Sequence, residues 1–407
     1  MKVFVLYSSI ELFSGTGGLA LGLQKSGFDH RALLDWDKDS CDNIKANIEK
    51  GYPIVQHWNV IQTDVKLVHY DDFGDGIKLV AGGPPCQPFS LGGKHQAYND
   101  KRDMFPEAVR AVRELRPQAF IFENVKGLLR KSFSTYFNYI ILQLSHPEVT
   151  IKDGMTWLEH LKALEEYHTS VGDHGLSYNV VFRLVNAADY GVPQSRHRVI
   201  IVGFRNDLNA NWSFPDATHS QDALRYSKWI SGEYWEEHKI AEAKRPTISE
   251  TERLRTRKAT ERGELLGRWQ TVRDAFVGLP DPRKSQRNSK FENHEFRAGA
   301  KPYPGHSGSV MDEPSKTLKA GDHGVPGGEN MIVLDDGSLR YYTVRESARL
   351  QTFPDEYIFH GSWTESMRQI GNAVPVQLAN IIGSSVYHQL ERLNEYEKQR
   401  HSGYKAV

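Results

Sequence analysis

The chain has 407 residues, more than one ordinary domain usually holds, so two or three domains are expected. Its 51 basic residues balance 51 acidic ones, and the formal net charge of +0 excludes a globally basic coat protein and a polybasic membrane-surface binder, although not a local patch. With 39% hydrophobic and 25% charged residues, the composition indicates a globular protein with a buried core.

The apolar N-terminal residues 1–7 run into Glu11 and a glycine-rich loop without a small-residue cleavage site. They therefore predict a buried first strand rather than a signal peptide. No segment approaches the roughly 18 consecutive apolar residues of a membrane helix. Two cysteines, Cys41 and Cys86, cannot form a disulfide framework and are typical of a reducing compartment, so a cytoplasmic protein is expected.

Up to about residue 205, short apolar runs alternate with amphipathic stretches. Helices are predicted over 19–24 and 106–112, the second opening with a proline that suits a first helical turn. Several apolar runs lack polar alternation, which is typical of buried strands in a parallel sheet. This pattern predicts a doubly wound α/β fold. The predicted strands are 10–13, 32–34, 79–81, 119–122, 180–185 and 199–204.

After residue 205 the sequence has few clean apolar periods, and its charges are segregated. Residues 206–243 hold seven acids and three bases, whereas residues 244–290 hold thirteen bases and six acids, a net charge of +7. The simplest interpretation is a second domain with one basic face, although a charge run alone is more often a solvated surface. Residues 377–400 are predicted to form one long or two short helices.

A predicted strand runs into the glycine-rich loop 13–18 and then into a helix. Glycines there allow a tight turn and the close approach of a ligand, although a plain strand-to-helix turn would use them equally. The spacing is not the GxGxxG of dinucleotide binders, so no pyrophosphate is implied. Asp35 ends a second strand where such folds bind a ribose, Trp36 could stack on a purine, and Asp64 could accept from an adenine amino group. Together they predict an adenosine pocket.

Two prolines before Cys86 and one after it fix the backbone of a loop that leaves a predicted strand. This display favours a nucleophile over a buried cysteine that acts as a small hydrophobe. Cys41 lies in a helical pattern and is interpreted as the buried kind.

The apolar strand 119–122 is followed abruptly by Glu123. A lone acid there is more often a helix cap or a salt-bridged residue, but beside a nucleophilic cysteine it could serve as a general acid. Arg196 and Arg198 are expected on one face of an incipient strand. They form either a solvated edge or a fork of donors for a carbonyl oxygen or a phosphate.

Six motifs occur along the chain: Phe13–Gly18, Pro84–Ser90, Glu123–Val125, Gln194–Arg198, Arg345–Pro354 and Gly371–Pro375. In sequence and in order they resemble those of the DNA (cytosine-5) methyltransferases of bacterial restriction-modification systems. The resemblance covers nearly the whole chain. Glu11 stands where an aspartate is commoner in that family, and Asp100–Phe105 is a shortened form of its fifth block, which leaves one cofactor contact open.

The resemblance implies a Rossmann-like, S-adenosylmethionine-dependent catalytic domain over 1–205 and a smaller, mostly irregular target-recognition domain over 206–344. Residues 345–407 would form a hinge and a C-terminal segment that folds back on the catalytic domain. The resemblance also implies a monomeric enzyme that binds duplex DNA and releases S-adenosylhomocysteine as its product. It implies no metal ion, no membrane attachment and no stable complex with a cognate endonuclease. The implied cofactor-binding residues are Phe13, Gly15, Thr16, Gly17, Gly18, Asp35, Trp36, Asp64, Val65, Pro84 and Asn372.

The resemblance also implies a mechanism, because carbon 5 of cytosine is a poor nucleophile. Cys86 would attack carbon 6 while Glu123 hydrogen-bonds or protonates ring nitrogen 3, so that carbon 5 can accept a methyl group. Arg198 would bind the carbonyl oxygen of the base, and Arg196 would either support the loop or bind a phosphate. The cytosine must rotate out of the duplex to reach these groups.

The basic segment Lys244–Lys290 would supply phosphate ligands, and loops 306–308 and 321–324 could reach base edges. Zinc is not expected, because histidines such as His168 and His174 lack cysteine partners at ligand spacing. Two other functions stay open: a tRNA cytosine-5 methyltransferase and a catalytically silent adenosine-binding regulator.

Overall fold

A computed structural model describes residues 6–85, 103–172, 175–260, 266–284, 290–302, 307–320 and 330–403. Cys86, residues 100–102, His174, His306 and the loop 321–324 lie outside the described residues. The chain divides into two compact units, which are described separately. Unit 1 comprises Met1–Val185, His197–Phe214 and Ala379–Val407, and unit 2 comprises Asn186–Arg196 and Pro215–Leu378.

Strands and helices alternate in unit 1, as the apolar runs predict. Pro106 lies in the first turn of the third helix, as expected from its fixed φ. The strands are β1 (Tyr7–Leu12), β2 (Phe28–Asp35), β3 (Val60–Gln62), β4 (Leu79–Gly82), β5 (Ala119–Val125), β6 (Tyr178–Asn186) and β7 (His197–Arg205). The helices are α1 (Gly18–Lys25), α2 (Lys38–Glu49), α3 (Phe105–Leu115), α4 (Ser134–Ser145) and α5 (Trp157–Thr169).

Seven of the described strands form one sheet in the order β3-β2-β1-β4-β5-β7-β6. Strand β1 pairs in parallel with β2 and with β4, and β4 pairs in parallel with β5. The chain moves outward from β1 to β3 and then returns to β4 on the other side of β1. The carboxyl ends of β1 and β4 therefore flank the topological switch point, where sheets of this kind bind ligands.

The run 199–204 lies in β7, but the parallel direction expected of it is not observed. Strand β7 pairs antiparallel with β5, so that Ile200 lies opposite Glu123 and Arg198 opposite Val125. The central residues of β7 are all buried. A strand covered on both faces has a continuous apolar sequence whichever way it runs, so the pattern indicates burial and not direction.

Unit 2 contains short elements joined by long irregular segments. Leu224, Tyr234 and Trp235 form a small core there, against which Trp229 and Trp269 pack. The helices are α6 (Gln221–Trp229), α7 (Glu233–Glu237), α8 (Glu250–Thr260), α9 (Val272–Ala275), α10 (Val344–Leu350) and α11 (Trp363–Asn372). The strands are β8 (His219–Ser220), β9 (Gly267–Arg268), β10 (Ser309–Val310), β11 (Met331–Val333) and β12 (Leu339–Tyr341).

One long helix, α12 (Val376–Gly403), ends the described chain, which is one of the two arrangements predicted for 377–400. Its residues from Ala379 belong to unit 1, where Tyr387 packs on Tyr7 and Phe28. Compact units need not coincide with functional domains, so the predicted boundaries at 205 and 344 stay predictions. Within the described ranges, no helix is both long and apolar enough to cross a membrane.

Candidate active site

The loop after β1 is held by the carboxylate at the end of β2. Gly15 and Gly17 have positive φ angles of 51° and 81°, a conformation that glycine adopts without strain. The Gly15 N–H donates to Asp35 Oδ2 at 2.6 Å, and the Asp37 N–H donates to Asp35 Oδ1 at 2.8 Å. A Cβ atom on Gly15 would meet nothing within 4 Å, so the main chain faces open space at this point.

Other residues predicted to bind adenosine follow the ends of β2 and β3. Trp36 is 76% exposed, which leaves its indole face available to a ligand. Asp64 is exposed and accepts from the Lys66 N–H at 3.0 Å, whereas Val65 is buried beside it. Because β1, β2 and β3 are neighbours and parallel, these residues share one edge of the sheet with the glycine loop.

Helix α2 anchors the glycine loop through a buried side-chain hydrogen bond. Thr16 is buried, and its hydroxyl accepts from Asn43 Nδ2 at 2.6 Å. Cys41, in the same helix α2 as Asn43, is fully buried, and burial raises the pKa of its thiol to about 12. The assignment of Cys41 to the core therefore agrees with the structure.

The chain that leads to Cys86 is anchored just before the described residues end. Asn124 Nδ2 donates to the Pro84 carbonyl oxygen at 2.9 Å, and the Met104 N–H donates to the Pro85 carbonyl oxygen at 3.0 Å. Asn124 was not selected from the sequence as a site residue. The signal for it was a second polar side chain, next to Glu123, after the buried apolar run 119–122.

Glu123 and Arg198 form an ion pair, with Arg198 Nε 2.6 Å from Glu123 Oε1. The side chains are only 10% and 12% exposed. The antiparallel register explains the contact: Arg198 lies opposite Val125, and Glu123 is two residues earlier on the same face of β5. A Cβ on Gly83, at the end of β4, would lie 3.6 Å from Glu123 Oε2, so the carboxylate also faces the start of the Pro84 loop.

Arg196 and Arg198 do not share one face of a strand, because β7 begins at His197 and Arg196 precedes it. Arg196 is fully buried in unit 2, where its guanidinium donates to the carbonyl oxygens of Leu318, Gly371 and Ala373 at 3.2, 2.8 and 3.0 Å. The guanidinium therefore faces main-chain carbonyl oxygens rather than solvent.

Two glutamines missed from the sequence complete this buried network in unit 2. Gln194 accepts from the Leu318 N–H at 3.0 Å and donates to Gln351 Oε1 at 3.2 Å. Gln351 Nε2 donates to the carbonyl oxygens of Ile370 and Ala373. Both lie in motifs quoted above, and both are fully buried. The main chain around Asn372, a residue that is itself exposed, is therefore held directly by Arg196 and Gln351, and Gln194 in turn bonds to Gln351.

One group in the described part of the chain has metal-ligand spacing: the ligand atoms of Glu237, His238 and Asp274 all lie within 4.8 Å of one another. Arg268 donates to both Glu237 and Asp274, and His238 pairs with Asp274 at 2.9 Å. The three ligand atoms thus already take part in an ion-pair network around one guanidinium.

The sheet, its switch point and a buried carboxylate–guanidinium pair beside it define an α/β enzyme of the Rossmann-like class. The family described as C-5 cytosine-specific DNA methylase matches residues 7–148 and 153–388. The chain belongs to that family, and it is a DNA (cytosine-5) methyltransferase, as its motifs predicted.

Individual relatives agree with this assignment. The Type II methyltransferase M.NgoMIV of Neisseria gonorrhoeae is 30% identical over 397 residues, which cover 95% of this chain and 99% of the relative. The Type II methyltransferase M.Eco47II of Escherichia coli is 31% identical, with 96% and 81% covered. A solved structure described as a prophage-encoded DNA modification methyltransferase of E. coli has a TM-score of 0.58 at 21% identity, with 95% and 99% covered, which supports the fold.

Proposed function

We propose that this enzyme methylates carbon 5 of a cytosine that is rotated out of a specific duplex DNA sequence, with S-adenosylmethionine as the donor and S-adenosylhomocysteine as the product. The observation that carries the proposal is the Glu123–Arg198 pair, 2.6 Å apart, beside the loop that leads to Cys86. The Type II names of the relatives favour a role in protecting prokaryotic DNA from a cognate restriction enzyme. The enzyme would work in the cytoplasm as a monomer, without a stable complex with that enzyme.

The residues at the switch point fit S-adenosylmethionine, which carries no phosphate. The oxygens of Asp35 accept the Gly15 and Asp37 main-chain N–H groups, which fixes the carboxylate at the end of β2, where folds of this kind bind a ribose. The open space at Gly15 admits a ligand to the main chain, and the exposed Trp36 offers a face for adenine. When bound, the cofactor supplies an electrophilic methyl group. The proposal includes no metal and assigns the pocket to Phe13, Gly15, Thr16, Gly17, Gly18, Asp35, Trp36, Asp64, Val65, Pro84 and Asn372.

In the proposed mechanism, the Cys86 thiolate forms a bond to carbon 6, and the electron pair of the 5,6 double bond becomes available at carbon 5. Glu123 hydrogen-bonds or protonates ring nitrogen 3, which stabilises that charge. After methylation, loss of the proton from carbon 5 expels Cys86 and restores the aromatic ring.

Arg198 is suited to hold both Glu123 and the base. Its Nε pairs with Glu123, and its Nη1 donates to the His197 carbonyl oxygen at 2.8 Å. The donors on Nη2 can then bind the carbonyl oxygen of cytosine, since a guanidinium offers five N–H groups in a fixed fork. Arg196 is proposed as a positioning residue, because it supports the main chain on both sides of Asn372.

Bisulfite sequencing of plasmid DNA from cells that express the enzyme tests this function. We expect one cytosine to resist conversion in every copy of one short sequence, and none to resist with the Cys86→Ala variant. Resistant cytosines in tRNA but not in plasmid DNA would instead identify a tRNA methyltransferase. Absence of methyl transfer to either nucleic acid, with S-adenosylmethionine still bound, would identify an adenosine-binding regulator.

A further inference from the structure

The basic side chains of residues 244–290 are not equally available to DNA, because some of them already form ion pairs with carboxylates of unit 2. Arg268 is 17% exposed and donates twice to Asp274, at 2.7 and 2.9 Å. Arg273 is 12% exposed and donates to Asp312 at 2.6 Å. Guanidinium groups that are mostly buried and already pair with carboxylates have few donors left for a phosphate.

Helix α8 differs from these segments. Arg253, Arg255 and Lys258 are all exposed, and residues 253–260 contain no acid. The carboxylates of α8 lie in its first turn, where Glu252 accepts from the Ser249 N–H and hydroxyl and caps the helix. The closest acid to a base of α8 among the described ion pairs is Glu250, whose carboxylate lies 4.0 Å from Arg253 Nε.

The bases of α8 occupy its outer surface. Thr256 is 5% exposed and marks the side of the helix that packs inward. At about 100° per residue, Arg253 lies on one flank of the outer surface, Arg255 on the other flank, and Lys258 nearly opposite Thr256. From residue 253 to residue 258 the helix rises about 7.5 Å, enough to reach about two phosphates along one DNA strand at 3.4 Å of helix axis each.

We propose that the outer surface of α8 holds the phosphate backbone of the duplex DNA substrate, and that Arg268 and Arg273 do not contact DNA. The inference rests on the proposed function only in taking duplex DNA as the partner. Among the thirteen bases of residues 244–290, the inference assigns phosphate contacts to Arg253, Arg255 and Lys258. Contacts of this kind position a protein on DNA without reading its sequence, so α8 contributes to affinity and not to the choice of target.

The test uses the full-length enzyme with Arg253→Gln, Arg255→Gln and Lys258→Gln combined. Binding to a labelled duplex is measured by fluorescence anisotropy across a salt titration. The magnitude of the slope of log K against log salt should fall by about 2 to 3, since each lost phosphate contact removes about 0.9. Bisulfite sequencing should still find the same target sequence. Unchanged melting temperature and circular dichroism would show that the fold is intact.

The matched control removes the same charge from exposed lysines of unit 1, with Lys25→Gln, Lys152→Gln and Lys162→Gln combined. Its slope should change by less than about 1. If the α8 variant keeps the wild-type slope, or if the control loses as much, the inference about α8 is overturned. Should the triple variant unfold, Arg255→Gln and Lys258→Gln measured singly should each lower the slope by about 0.9, and no change in either overturns the inference.

The outcome for the wild-type enzyme separates the two proposals. If it methylates DNA and the α8 variant keeps its salt slope, only the inference about α8 fails. If it methylates no DNA, the proposed function fails. A slope on tRNA that falls with the α8 variant, while binding to duplex DNA does not change, would show that α8 binds RNA and would overturn the inference.

Discussion

The buried pair of Glu123 and Arg198 should be strongly coupled, and a double-mutant cycle measures that coupling. The two charges are 2.6 Å apart on side chains that are 10% and 12% exposed. Arg198→Met leaves a buried carboxylate without a cation, which should lower the free energy of unfolding by about 3 to 5 kcal/mol. Glu123→Gln should cost less, about 1 to 2 kcal/mol, because a neutral amide of the same shape replaces the carboxylate and the guanidinium keeps its bond to the His197 carbonyl oxygen.

The double variant removes both charges, so its loss should fall short of the sum of the single losses by about 1.5 to 3 kcal/mol. Equilibrium unfolding in urea, followed by circular dichroism, gives the four free energies. A surface pair of the same length is the matched control: Arg116 Nη2 lies 2.6 Å from Glu148 Oε1, but the side chains are 62% and 36% exposed. Its cycle should give less than about 1 kcal/mol.

Activity separates the two roles of Glu123. Glu123→Gln, which should remain folded, is expected to slow methyl transfer by about 10² to 10⁴, the usual range for a lost general acid.

A coupling energy for Glu123 and Arg198 no larger than that of the surface pair would refute the reasoning about the buried pair, because the ion pair would then be effectively solvated. A larger loss of stability in Glu123→Gln than in Arg198→Met would contradict it as well.

Three further predictions concern other buried groups. Arg196→Met should lower the free energy of unfolding by about 3 kcal/mol or more, measured in urea, because three buried carbonyl oxygens lose a charged donor. Burial lowers the pKa of His30 to about 4, below its ordinary 6.5, so the unfolded chain takes up this proton first as the pH falls. The stability from neutral His30 is fully present above pH 6.5 and should fall by about 2 kcal/mol between pH 7 and pH 5, a loss that urea unfolding should not find in His30→Gln. Because burial raises the pKa of Cys41 to about 12, only about one thiol in 10⁴ is a thiolate at pH 8, and peptide mass mapping should find iodoacetamide on Cys86 before Cys41.

The sequence predicted the strands that are buried apolar runs with polar residues on either side. The apolar runs located six strands of the sheet, but β3 is short and only partly buried, and no comparable run marks it. Asp35 and Glu123 could be selected because each is an acid at the end of an apolar run. Both lie at the edge of the sheet where the structure forms its candidate site.

The partners of these residues could not be predicted in the same way. The contact between Glu123 and Arg198 depends on the antiparallel pairing of strands that are far apart in the sequence, and local patterns do not encode that pairing. The same limit applies to the basic segment. Arg273 is neutralised by Asp312, a residue 39 positions away, so counting charges along the chain overestimates the bases that can meet DNA.

Covalent trapping on DNA that contains 5-fluorocytosine tests the central claim most directly. Fluorine cannot leave carbon 5 as a cation, so the step that releases Cys86 is blocked after methyl transfer. With S-adenosylmethionine present, the wild-type enzyme and Cys41→Ala should each form a protein–DNA complex that survives denaturing electrophoresis, and Cys86→Ala should form none. A stable complex with Cys86→Ala, or a wild-type enzyme that methylates cytosine but is never trapped, would contradict the account.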